Sequence, residues 1–473
     1  MWFLRLIFIF CLISINYFVQ SSRLLVVSFD GFRYDYINRN ITPNLHKLKS
    51  KSTSAKFMIN VFPTQTFTNH FSLATGLYSE HHCVLASKIY LPEKNIVLKY
   101  GYELWHYNDS VVPIWTLNEK AGNPSGVMMW PGSDFEYANT KTTYVFKYNI
   151  SVPWTDRVNI VMDWFTDKEK PAKLTMMYFE QPDKDSHAFG PDSPHTNSQI
   201  QNVDKMTKYI LDQLKERNIT DVNAVFLSDH GMEGVTVDRI IDLRPVVGNI
   251  SEMYGTSPVL QVYPHKGKED EVFKKLKLFA LNNTHFQVYK RSEIPVNFHY
   301  KKCSRAPPIM VLAEPKYAFQ DLYEGIKWYK THYNDVTDNN TFGVHGYDPQ
   351  TIDMHPYFIA HGPMFKKNFE ADHLYTVDMY LLFAKILDLK PQFNDGNFNR
   401  VLQVFNPSSN KVAVIIGLAL LVVGGIIIFA AIFMRCIVME DVCQPSSIMF
   451  NTITFLQNIK YTMILSEEES HET

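Results

Sequence analysis

LLVVSFDG, residues Leu24 to Gly31, is an apolar run that stops at an acid and a glycine. A short apolar run closed by turn residues reads as a strand buried on both faces. The same pattern returns in LTMMYFEQPD at 174–183, AVFLSDHG at 224–231 and YFIAHGP at 357–363. Strands of this kind belong to parallel sheets covered by helices. Between two of the runs, Ile200, Val203, Met206, Ile210 and Leu214 recur at steps of three and four, which makes one stripe of an amphipathic helix. Strands alternating with helices predict an α/β fold, a mostly parallel sheet with helices on both faces.

In open sheets of this class, ligands gather beyond the carboxyl ends of the strands. Asp30, Asp183, Asp229 and His230 all fall there. His187 stands four residues after Asp183, and His345 lies in GVHGYD, where glycines permit close approach. Carboxylates and imidazoles are the ligands that borderline divalent metals take, so these six form a candidate metal set. Taken singly, Asp30 or Asp229 also reads as a helix cap, and His187 or His345 as an ordinary loop histidine.

Thr66 stands in VFPTQTFTNHFSLATGL, where Pro63 closes an extended segment and the later apolar spacing predicts a helix beginning near Thr66. Its hydroxyl reads either as an N-cap or as a nucleophile. At a helix N-terminus beside a cation, the dipole and the metal both favour the alkoxide.

The chain has 473 residues, 46% of them apolar and 20% charged, with a formal net charge of -2, enough for a large core. No basic footprint is present, which argues against DNA or RNA binding. The apolar run from Leu6 to Ile15 after Arg5 reads as the core of a signal peptide over 1–22. Every residue from Val412 to Met434 is apolar or glycine, long enough for about 30 Å of hydrocarbon at roughly 1.5 Å per residue. The expected layout is a catalytic domain over 23–390, a polar stalk over 391–411, a transmembrane helix over 412–434 and a cytoplasmic tail over 435–473. That is a single-pass type I protein of the plasma membrane, anchored in the lipid bilayer by one span.

Seven glycosylation sequons, at Asn40, Asn108, Asn149, Asn218, Asn249, Asn282 and Asn339, all precede the apolar segment, which fits an extracellular domain. Cys83 and Cys303 are the cysteines of that domain, either bridged or separately buried, while Cys11 falls in the signal and Cys436 and Cys443 in the tail.

SFDGFR, FPTQTFTNHFSLATGLY, WPGSD, YNISVPW, EQPDKDSHAFGP, LSDHGM and GVHGYD, in this order over about residues 23 to 390, resemble the ectonucleotide pyrophosphatase/phosphodiesterase family of the alkaline phosphatase superfamily. The resemblance implies two Zn2+ ions, one on Asp183, His187 and His345, the other on Asp30, Asp229, His230 and the Thr66 oxygen. It implies attack by Thr66 on phosphorus and a phosphothreonine intermediate. It also implies stacking of a nucleobase between Phe67 and Tyr148, with Trp130 and Asp134 as further pocket positions. Two residues depart from the family pattern: Gln65 replaces a lysine, and Ser87 stands where an asparagine donates to the phosphoryl oxygen. Extracellular nucleotides are the expected substrates. Choline or lysophospholipid phosphodiesters are the alternative, since paired aromatics also hold a quaternary ammonium. A weakly active surface interaction protein on the same scaffold is a third reading.

Overall fold

A computed structural model describes residues 22–407 and 423–432. The expected signal peptide, apart from Ser22, and the tail from 435 lie outside the described residues, as does most of the 412–434 segment. Residues 423–432, a unit by themselves, are helical. Among the described residues no helix is long and apolar enough to cross a membrane.

The main unit, which runs to Asn406, is built on an eight-stranded sheet. From one edge its strands are Phe369–Ala371, Thr53–Ala55, Phe358–His361, Val222–Leu227, Arg23–Phe29, Leu174–Phe179, Ser125–Met128 and Tyr144–Phe146. Arg23–Phe29 lies parallel between Leu174–Phe179 and Val222–Leu227, pairing Ser28 with both Tyr178 and Leu227. All three are buried along nearly their whole length, as uninterrupted apolar runs require. The fourth apolar run differs: Phe358–His361 is antiparallel to Val222–Leu227, so the sheet is mixed at that side. A helix over Pro194–Glu216 buries Ile200, Val203, Met206, Ile210 and Leu214, the stripe expected from their spacing, and Ser193 caps its first turn.

A second, antiparallel sheet orders Ser251–Thr256, Val259–Pro264, Ile309–Ala313 and Phe286–Lys290. It has its own core around Leu260, Val262, Leu276, Val288 and Val311. A disulfide joins Cys83 to Cys303 across 220 residues, linking the turn after the Thr66 helix to this region. Of the two alternatives for these cysteines, the bridge is the one formed.

The polar segment after 390 does not leave the unit at once. Phe398–Leu402 is a short helix, Val401 and Val404 are fully buried, and Arg400 pairs with the buried Asp378. Residues 391–406, read as stalk, therefore belong to the main unit, because apolar side chains spaced among Asn and Gln still find the core.

Candidate functional site

Three adjacent parallel strands end at the same edge, and each delivers an acid. Asp30 follows Arg23–Phe29, Asp183 opens the helix Asp183–Phe189 just beyond Leu174–Phe179, and Asp229 follows Val222–Leu227. The turn after Asp30 is made by Gly31 at φ +67°, where an added Cβ would stand 2.8 Å from Asp183 Cβ. Only glycine lets the two acidic turns approach so closely.

The carboxylates are sequestered from water and incompletely satisfied. Asp30 Oδ1, Asp183 Oδ1 and Asp229 Oδ2 are buried with no hydrogen-bond donor. Three imidazoles face them: His230 Nε2 lies 3.3 Å from Asp30 Oδ1 and 3.1 Å from Asp229 Oδ2, His345 Nε2 lies 3.5 Å from Asp183 Oδ1, and His187 Nε2 lies 3.3 Å from Asp183 Oδ2. Each ring directs Nδ1 at a backbone carbonyl, of Gly231, Thr64 and Gly343 respectively, at 2.8, 3.0 and 2.8 Å. That contact places the proton on Nδ1 and leaves the Nε2 lone pair for a ligand. His230 and His345 stack at 3.6 Å.

Two groups of donor atoms result, Asp183 with His230 and His345, and Asp30 with Asp229 and His230; within each group the atoms lie within 4.8 Å of one another. His187 joins the first through Asp183, and His230 belongs to both. Buried acceptors without donors, opposed by imidazole lone pairs, are the chemistry that a divalent cation completes. Without one, charge is balanced by protons. Burial and the neighbouring charges of Asp229 and Asp183 push the Asp30 carboxyl well above its usual range. Burial opposes charge on His230, yet Asp229 still raises it. His345, buried and beside His230, is lowered to about 3 and stays neutral.

Thr66 is the first residue of the helix Thr66–Thr75; Gln65 holds the N-cap position, so the Thr66 hydroxyl does not cap. It lies 3.2 Å from His230 Nε2. Asn69, one turn on, grips the approaching loop, donating to the carbonyls of Val61, Pro63 and Gln65, each at 3.1 Å. His70, fully buried on the same helix, places Nδ1 2.9 Å from Thr66 O and 3.3 Å from Asp229 Oδ2, while Nε2 meets Ser28 Oγ at 2.8 Å. Tyr178 donates to Asp30 Oδ2. Sequence reasoning missed Asn69, His70 and Tyr178, although His70 follows Thr66 by one helical turn and so shares its face.

The residues read as substrate contacts are scattered. Tyr148 is 53% exposed and lines a cavity of about 240 Å3 with Asp183 and His187. Phe67 is half-buried against Trp105 and Tyr100, at 5.1 and 5.6 Å, and no ring contact joins it to Tyr148 among the described residues. Trp130 is in the core, 1% exposed, with Nε1 donating to His70 O at 3.2 Å, so it braces the Thr66 helix from behind. Asp134 accepts from Tyr100 at 2.9 Å and is one residue removed from Phe67. Ser87 is half-buried, and no hydrogen bond among the described residues ties it to Thr66. Gln65 donates to Thr256 Oγ1 at 3.2 Å. All seven sequon asparagines are exposed.

Comparison with known proteins agrees with this geometry. Residues 24–348 match the family described as type I phosphodiesterase/nucleotide pyrophosphatase. The chain is 35% identical over 404 residues to ectonucleotide pyrophosphatase/phosphodiesterase family member 5 of Homo sapiens, covering 83% of this chain and 80% of that one. It is 33% identical over 441 residues to the bis(5'-adenosyl)-triphosphatase of Xenopus laevis, covering 92% of each. The structure of murine ectonucleotide pyrophosphatase/phosphodiesterase 5, an inactive variant in complex with AMP, superposes with a TM-score of 0.74 at 35% identity, over 81% of this chain and all of that one. The chain belongs to the type I phosphodiesterase/nucleotide pyrophosphatase family of metal-dependent hydrolases, on the alkaline phosphatase-like fold.

Proposed function

We propose that this protein hydrolyses extracellular nucleotides and nucleotide phosphodiesters, with Thr66 as nucleophile and two divalent ions, zinc by the ligand chemistry, in the acid–imidazole cluster. The observation that carries the reading is the Thr66 hydroxyl, 3.2 Å from His230 Nε2, at the rim of three buried carboxylates with unpartnered oxygens. Asp183, His187 and His345 would hold one ion, and Asp30, Asp229, His230 and the Thr66 oxygen the other. When bound, such ions neutralise phosphoryl charge and lower the pKa of the attacking hydroxyl.

The chain's own groups do the rest. The helix beginning at Thr66 directs its positive end at the incoming phosphate. Asn69 holds the Gln65 carbonyl and His70 the Thr66 carbonyl, which fixes the first turn so that the hydroxyl would face phosphorus. The Thr66 hydroxyl gives its proton to solvent and its oxygen forms a bond to the α-phosphorus while the bond to the bridging oxygen breaks, and the electron pair leaves with the departing phosphate, pyrophosphate, nucleotide or alcohol. Water then attacks the phosphothreonine, releases the nucleoside monophosphate and returns a proton to the threonine oxygen. Gln65 lacks the charge of a lysine and Ser87 the reach of an asparagine amide, so these two positions would stabilise the phosphoryl oxygens less than the lysine and asparagine usual in the family.

The chain would work outside the cell, as a type I protein anchored through 412–434. The choline reading is weakened by the surroundings of the aromatic wall: Glu180, the acid beside it, is neutralised by Arg157 at 2.6 Å, and Lys184 is an exposed cation there. Both disfavour a quaternary ammonium. The test is release of nitrophenol by the ectodomain, Arg23 to Asn406, from the thymidine 5′-monophosphate ester and from nitrophenyl phosphorylcholine, with Thr66→Ala and EDTA controls. Cleavage of the nucleotide ester, lost in both controls, is the expected result. Preference for the choline ester overturns the substrate class, and metal-loaded protein inert on both overturns the enzyme reading.

A further inference from the structure

The helix Leu322–His332 carries no residue of the acid–imidazole cluster, yet it walls the same 240 Å3 cavity that Asp183 and His187 line. Trp328 on this helix is 48% exposed. Its indole is stacked on His332 at 3.9 Å and 18°, and Tyr329 and Tyr333 meet it edge-on. Those contacts fix the ring and cover one face, leaving the other for a planar ligand. Lys184, across the cavity, makes no ion pair among the described residues. A large exposed indole and a free ammonium, side by side against a phosphoryl-transfer cluster, have no part in the fold's own core.

We propose that Trp328, Tyr333 and Lys184 form a second nucleotide subsite, which holds the departing half of a dinucleoside polyphosphate: Trp328 stacks its base and Lys184 meets its phosphates. The inference rests on the Thr66 reaction proposed above. In-line displacement puts the attacking and departing oxygens on opposite sides of phosphorus. Thr66 stands beside His230, which both halves share, and its carbonyl meets His70 Nδ1, which lies 3.3 Å from Asp229 Oδ2, so Thr66 sits toward the Asp30 and Asp229 half. The departing group is therefore sent over the Asp183, His187 and His345 half, where the Trp328 wall begins. The retained nucleotide stays on the Thr66 and Phe67 side. A leaving group with a base fills the second subsite; pyrophosphate reaches only Lys184.

The experiment uses the ectodomain in two forms. In the Thr66→Ala background, binding of diadenosine triphosphate and of AMP is measured by calorimetry. In the active protein, kcat and KM are measured for diadenosine triphosphate and for ATP. Adding Trp328→Ala is expected to cut the dinucleotide-to-AMP affinity ratio about tenfold, the scale of one lost base stack, and to lower the dinucleotide-to-ATP ratio of kcat/KM through KM. Trp328→Phe restores both ratios, which a folding defect would not, and Lys184→Met weakens dinucleotide and ATP together. Unchanged ratios in Trp328→Ala overturn the subsite. So does a loss confined to nitrophenyl phosphorylcholine, which would make the wall a quaternary-ammonium site. A shifted binding ratio in a protein without turnover upholds the subsite and overturns the Thr66 reaction alone.

Discussion

The cavity between Tyr90, Tyr263, Arg291 and Arg305 measures about 1050 Å3, whereas the one against Asp183 and His187 measures about 240 Å3. Size points to the first, chemistry to the second. In the larger cavity the cations are consumed by the fold: Arg291 donates to the carbonyls of Lys301 and Cys303, Arg305 to those of Leu104 and Glu103, and Lys290 pairs with Asp270. In the smaller one, among the described residues, buried carboxylate oxygens lack donors and Lys184 makes no ion pair. A folded chain satisfies its buried polar groups unless something else is to satisfy them, so unpaired groups mark a site better than volume does.

The widest separation between the two regions is expected in turnover. Thr66→Ala lowers activity on the nitrophenyl nucleotide ester by about a thousandfold or more, since the proposed nucleophile is removed. Asp229→Ala weakens zinc binding by more than the roughly 10–100-fold that loss of an outer-shell partner costs, read by metal titration. Arg305→Ala stays within about twofold in kcat/KM; a loss comparable to that of Thr66→Ala would make the large cavity part of the site.

Stability gives the next contrast. Cys303→Ser releases the link between the Thr66 side and the second sheet and is expected to cost about 2–5 kcal/mol in denaturant unfolding, with zinc stoichiometry unchanged. If zinc is lost too, the two regions are coupled through the bridge. Around the cluster, removing metal with EDTA lowers the melting temperature, by the equivalent of about 2.7 kcal/mol where zinc had stood at a hundred times its Kd. Asp30→Asn, which removes the cost of holding a buried carboxyl, charged or protonated, beside Asp229 and Asp183, raises the melting temperature in EDTA and abolishes the gain from zinc. A variant that melts lower in EDTA would show that no repulsion is held there.

The smallest effect concerns the segment after 390. Asp395 accepts from Tyr78 N and from His81 Nδ1, both at 2.7 Å. The hydrogen bond to Asp395 raises His81, so that contribution is complete below the unfolded histidine pKa and fades as pH climbs through the folded one. Asp395 is lowered by His81 and the Tyr78 N–H against the push of burial, so its contribution fades as pH falls through its folded value. Asp395→Asn should therefore cost more near pH 5.5 than near pH 8.5, and no more than about 1 kcal/mol because His81 faces solvent. An equal cost at both pH values would leave only the Tyr78 contact.

Much of this was legible in the chain. Asp30, Asp183, Asp229 and His230 could be placed at strand ends because uninterrupted apolar runs name buried strands and the next polar residue must lie at their tip. His345 and Thr66 came from local glycines and a helix start. Trp130 reads from the sequence as either a pocket position or core, because an aromatic after two methionines looks the same in both places, and its burial puts it in the core.

Sequence alone determined which acids fall at strand ends, the order of the strands along the chain, the helix that begins at Thr66 and the family, since each depends on local pattern or on motifs in fixed order. Only the tertiary structure decided that Cys83 meets Cys303, that Phe358–His361 runs antiparallel, that His70 and Tyr178 brace Asp229 and Asp30, and that Trp328 lines the same cavity as Asp183 and His187. These are contacts between residues far apart in the chain, and no local periodicity carries the register that brings them together.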